Sequence, residues 1–96
     1  MRNYELSIVL FSTLNEEEKV ATLEKVKDLI VRFGGEITNV DDWGKRRLAY
    51  EINKQKEGFY YFIRFNSETS APAEIESRIR IMEPVLRYLI VSLEDK

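Results

Sequence analysis

Ninety-six residues with 44% hydrophobic and 33% charged content are enough for one compact domain with one core, and too few for two. Neither histidine nor cysteine occurs, which closes disulfide, thiolate and sulfur-ligated metal chemistry and removes the usual general base and the commonest nitrogen ligand. A net charge of −2 and a pI near 5.3 argue against a free-standing nucleic-acid binder, which is basic overall, although local clustering can still build a binding face.

No apolar run approaches the roughly twenty residues that cross a bilayer. The opening MRNYELSIVLFSTLNEEEK turns acidic where a secretory signal needs a small-residue cleavage site. The expectation is an intracellular protein with no membrane contact and no small-molecule substrate.

Residues 4–10, YELSIVL, alternate Tyr4, Leu6, Ile8 and Leu10 with Glu5, Ser7 and Val9, the period of a strand with one buried face. In the next stretch Val20, Leu23, Val26, Leu29, Ile30 and Phe33 recur at three and four. Asn15 can cap this helix with Glu18 three residues on, Glu16 to Glu18 suit its positive end, and Gly34 stops it. From Glu36 the pattern alternates weakly to Trp43 and clearly from Arg46 to Ile52, with a phase change at Gly44 that predicts a bulge in one long strand. Asn53 to Gly58 reads as a polar hairpin loop, and Phe59 to Phe65 as a central strand. A second helix starts behind Ser/Thr caps, carries Pro72 in its first turn, spaces Ile75, Ile79 and Met82 on one face, and ends before Pro84. Val85 to Leu93 is the last strand, and about 93–96 is expected to fray.

The order βαββαβ predicts a ferredoxin-like α+β plait over 1–96, a four-stranded antiparallel sheet with both helices on one face. Many unrelated functions use this plait, so the argument moves to the open face. Parity turns Leu6, Ile8, Leu48, Tyr50, Tyr61, Ile63, Tyr88 and Ile90 toward the helices. It turns Asn3, Glu5, Arg47, Ala49, Glu51, Tyr60, Phe62, Arg64, Arg87 and Leu89 outward. Aromatics mixed with arginines stack on bases, pair with phosphates or anchor protein interfaces. Their plain alternative is cross-strand packing for Tyr60 and Phe62 and a solvated charge run for Lys45 to Arg47. Between residues 45 and 64, six cations (Lys45, Arg46, Arg47, Lys54, Lys56, Arg64) face two anions (Glu51, Glu57), a basic island in an acidic chain.

Sequence GFYYFIRF is similar to the aromatic strand of RNA-recognition motifs. An extra aromatic shifts its phase, and YELSIV lacks the companion signature, so the standard base-stacking platform is rejected. Gly34-Gly35 sits at a helix end and is no phosphate loop. An acylphosphatase-like anion loop is missing, because FSTLNEEE offers anions where that loop needs arginine. The acidic runs 16–18 and 41–42 are explained by a helix start and a turn, and no metal or cofactor is expected.

Together MRNYELSIVL, a helix closing in FGGEI, the strand WGKRRLAYEINKQKEGFYYFIRF and the closing RIRIMEPVLRYLIV resemble the bacterial ribosomal small-subunit protein six family, from Met1 to about Val91. The most specific segment is Arg46-Arg47-Leu48-Ala49-Tyr50, followed by a Lys-containing loop and Gly58 with its aromatic.

The resemblance implies a cytoplasmic, non-enzymatic ribosomal assembly protein. It would bind small-subunit (16S) ribosomal RNA in the central domain, or platform, together with protein eighteen of the small subunit. It also implies Arg2, Tyr4, Lys45, Arg46, Arg47 and Lys54 or Lys56 as RNA or partner contacts, with Arg80, Arg87 and Tyr60 as further partner contacts. Phe62 and Arg64 join them from the open face, while Tyr4 and Tyr50 fall on the core face, where packing is the stronger reading. Some members have longer C-terminal tails that add contacts, and the resemblance, which runs to about Val91, carries none of those contacts over to this sequence. Two readings from other classes stand beside it: a self-associating regulatory or ligand-binding module, and an acid–base enzyme for which no reactive spacing is present.

Overall fold

The computed structural model describes residues 1–93. Its elements are β1 (Arg2–Phe11), α1 (Glu16–Arg32), β2 (Glu36–Ile52), β3 (Gln55–Ser67), α2 (Ala71–Ile79) and β4 (Val85–Ser92). The four strands form one antiparallel sheet in the order β2-β3-β1-β4. This is the expected ferredoxin-like plait.

The alternation in β1 and β3 sends Leu6, Ile8, Leu10, Tyr61, Ile63 and Phe65 to one side. There they meet Val26 and Ile30 of α1 and Ala71, Ile75 and Ile79 of α2. Each of the Leu, Ile, Val and Phe side chains leaving water stabilises the fold by about 1.5–3 kcal/mol, which holds both helices on the same sheet face. Tyr4 stacks on Phe65 at 5.6 Å and is buried, as its phase predicted.

Helix α1 starts with the anticipated capping box. The Asn15 side-chain oxygen accepts from the Glu18 N–H at 2.8 Å, and the Glu18 carboxylate accepts from the Asn15 N–H at 2.9 Å. The apolar stripe departs from expectation at Val20, which is exposed. Thr22 instead turns inward, its hydroxyl donating to the Glu18 carbonyl at 2.8 Å. Helix α2 is shorter than its pattern. Ser70 makes no side-chain cap, and after Ile79 the chain tightens into a turn in which Met82 N–H donates to the Ile79 carbonyl at 2.9 Å.

The hairpin loop expected over 53–58 contracts to two residues. Asn53 and Lys54 have φ of 50° and 64°, the pair of positive values whose twist matches a tight hairpin, so β3 already begins at Gln55. Leu93 is tied down by its N–H donating to the Asn3 carbonyl at 2.9 Å, and the rest of the frayed end expected over 93–96 lies outside the described residues.

Candidate nucleic-acid interface

Strand β1 pairs with β3 from Arg2 opposite Ser67 to Phe11 opposite Gly58. Past Gly58, β2 and β3 have only each other, so the hairpin tip runs out beyond the sheet body by roughly four residues, about 13 Å. Lys45, Arg46, Arg47, Lys54 and Lys56 all lie on this hairpin and all are exposed. Tyr50 goes with them. Its phase assigned it to the core, but no helix covers this part of the sheet, and it is 64% exposed.

At the base of the hairpin lies the bulge foreseen at Gly44. The register shifts between Asp42, opposite Tyr61, and Gly44, opposite Tyr60. Gly44 takes φ of +73°, a region that side chains avoid, and its N–H donates to the Asp42 carboxylate at 2.8 Å. The bulge brings Trp43 edge-on against Phe62, with ring centroids 4.8 Å apart. The Arg46 guanidinium lies over the indole at 5.1 Å, and its Nε donates to the Trp43 carbonyl at 3.0 Å.

This shift corrects the parity assignment. Arg46 is opposite Gly58 and so shares the open side with Tyr60 and Phe62, whereas Arg47 is opposite Glu57 and points to the other side. One inserted residue is enough to exchange the two arginines. Lys45 pairs with Phe59 on the helix side. Phe59 carries Lys45 at 5.6 Å from its ring and Lys19 of α1 at 4.1 Å. Lys19 is ion-paired with Glu16 at 3.1 Å, a contact that raises its pKa. Beside it Tyr61 also titrates high, because burial and then the nearby Asp42 carboxylate disfavour its anion.

The open face itself falls into rows. Gly44, Tyr60, Val9 and Arg87 form one, and Asp41, Phe62, Ser7 and Leu89 the next. Asn39, Arg64, Glu5 and Val91 follow. Tyr60 and Phe62 are half-buried, and Arg64 donates to Glu5 at 3.2 Å. Arg87 is exposed, as are Leu89 at 54% and Val91 at 40%.

Two sequence-predicted residues lie apart from both the hairpin and the open-face rows. Arg2 is at the opposite end of β1, and Arg80 closes α2 in the helix layer. A cavity of about 610 Å³ between α1 and the segment leading to β4 is lined by none of the predicted residues. Sequence reasoning missed Trp43 and Val91. Trp43 adjoins the phase break at Gly44, the one local signal in the sequence that marks it. Among the described residues no group of three or more acidic side chains could hold a metal ion. Glu18 and Asp42 are engaged as a helix cap and a bulge lock.

The family described as ribosomal protein S6 matches residues 3–92. The small ribosomal subunit protein bS6 of Caldanaerobacter subterraneus subsp. tengcongensis is 52% identical over 95 residues, covering 99% of this chain and 100% of the relative. That of Clostridium novyi is 45% identical over 94 residues, covering 98% and 99%. Among solved structures, the crystal structure of 30S ribosomal protein S6 from Thermotoga maritima superposes with a TM-score of 0.91 at 32% identity, covering 95% of this chain and 86% of that one. Alignments this long, with the same plait beneath them, agree with the resemblance carried by the RRLAY strand, and the chain belongs to the ribosomal protein S6 family as a structural protein of the small ribosomal subunit.

Proposed function

We propose that this protein binds small-subunit ribosomal RNA of the central domain through its basic hairpin, together with protein eighteen of the small subunit docked on the open sheet face. One observation carries the reading: an acidic chain concentrates exposed cations on one hairpin, with Lys45 and Arg46 at its base and Arg47, Lys54 and Lys56 on the part that runs past the end of β1, in reach of phosphate. Burial does not explain the hairpin's length, since its tip packs under neither helix. The exposed Leu89 and Val91, with Arg87 and Tyr60 nearby on the sheet, supply the mixed apolar and polar surface that suits a protein partner. A basic partner adds the phosphate neutralisation that a chain of net charge −2 lacks. No reaction is assigned to the chain.

The test is binding to central-domain RNA with and without the partner, at two salt concentrations, for the wild type and the double variant Arg46→Glu/Arg47→Glu. Phosphate contacts predict binding that weakens as salt rises, with a salt slope reduced by about 0.9 for each contact the variant loses. A folded variant with wild-type affinity and slope would remove the hairpin from the interface. The exposed pair Leu89 and Val91 also favours a second reading, self-association through the sheet. A monomer at high concentration excludes it.

A further inference from the structure

Trp43 is the chain's single tryptophan, and it is 50% exposed although three contacts hold it in place. The Phe62 ring meets it edge-on, the Arg46 guanidinium covers part of the indole, and the Arg46 Nε bond to its carbonyl ties that arginine to the same backbone. The Asp42–Gly44 bond locks the bulge that presents it. A large, flat, half-exposed ring held rigidly loses little entropy when something stacks on it. Cross-strand packing on the open face accounts for the Phe62 side of this arrangement and leaves the exposed part of Trp43 without a structural role.

We infer that Trp43 is a stacking platform for one unpaired RNA base, with Arg46 beside it binding that nucleotide's phosphate. The inference rests on the RNA reading of the hairpin and names the element it would recognise. Position and chemistry favour RNA over protein here. Trp43 lies on β2 at the foot of the strand that carries Lys45, Arg46 and Arg47. The exposed apolar pair Leu89 and Val91 lies on β4, the opposite edge of the sheet, roughly three strand spacings or about 14 Å away. A guanidinium has five N–H donors, and the bond to the Trp43 carbonyl uses one, so Arg46 keeps donors for phosphate while holding the ring. Bases locked in a helix cannot reach such a ring, which selects a splayed or single-stranded nucleotide. The site also differs from the rejected central-strand platform, because it stands on an edge strand and is made by a bulge.

The single tryptophan makes the test direct. Fluorescence of Trp43 is followed while the central-domain fragment of small-subunit ribosomal RNA is added, with the partner protein present and, separately, with the partner alone. An independent gel-shift assay gives the affinities of wild type, Trp43→Phe and Trp43→Leu, each first shown to be folded by circular dichroism. Stacking predicts quenching by RNA, binding within about threefold for the phenylalanine variant, and about tenfold weaker binding for the leucine variant, which keeps an apolar contact to Phe62 but loses the π face. Salt-sensitive RNA binding without quenching, and with the leucine variant unimpaired, would overturn the stacking site and leave the hairpin reading intact. Loss of partner association by the leucine variant in the absence of RNA would make Trp43 a protein anchor instead. Absence of RNA binding in every arm would bring down both readings.

Discussion

Strand β3 passes through two environments. From Gly58 to Asn66 it has β1 on one side and β2 on the other, and alternate residues go under the helices, so Tyr61, Ile63 and Phe65 are buried. From Gln55 to Glu57 it has β2 as its only strand neighbour. The Ser12 hydroxyl donates to the half-buried Gln55 side chain at 3.5 Å, and beyond it Lys56 and Glu57 are exposed, as is Tyr50 on the opposing strand. The same backbone conformation therefore serves stability in one half and presentation in the other. Alternation decides burial only where a second layer exists to receive one face. The basic charge collects where desolvation would not penalise it.

That contrast can be broken most forcefully in the body. Ile63→Ala, at a position with no exposure, should cost about 2–5 kcal/mol in denaturant unfolding. Tyr50→Ala on the tip should change stability by no more than about 0.5 kcal/mol. Equal losses would mean that the tip is packed after all.

A smaller effect is expected at the junction. A methyl group added to Gly58 would press on Val9 Cγ1, which cannot swing aside on its branched carbon, and would lie 3.0 Å from the Leu10 carbonyl oxygen. Gly58→Ala should therefore destabilise by about 1–3 kcal/mol, and a neutral result would show that the two halves are less tightly joined than the contacts require.

The mildest test uses pH. Tyr61 and Lys19 both have folded pKa values above their unfolded references of 10.0 and 10.5. The stability they contribute is fully present below the unfolded values and is lost as pH rises through the folded ones. Unfolding measured across that alkaline range should show declining stability, with a shallower decline in Tyr61→Phe. An identical decline would mean that Tyr61 is ionised as easily in the native state as in the unfolded one.

Much of this was readable beforehand. The element order, the Asn15–Glu18 capping box, the bulge at Gly44 and the basic island all follow from local spacing, because caps, turns and alternation act over a few residues. What failed depended on neighbours distant in sequence. Tyr50 had the phase of a core residue, and only the end of β1 at Phe11 shows that no core reaches it. Arg46 and Arg47 exchanged faces because a phase break reveals that a bulge exists without revealing which residue the partner strand skips. Trp43 was passed over for the same reason, since its contacts with Phe62 and Arg46 form only across that bulge.

By itself, then, the sequence determined the plait, the two helix faces and the place of the positive charge, since periodicity and composition are local properties of the chain. Tertiary structure alone decided that the charged hairpin stands clear of the body, which arginine shares a face with the aromatics, and that a half-exposed tryptophan is held at its foot. Those outcomes depend on strand register and on where the covering layer stops, and both are set by pairing between residues far apart in the chain.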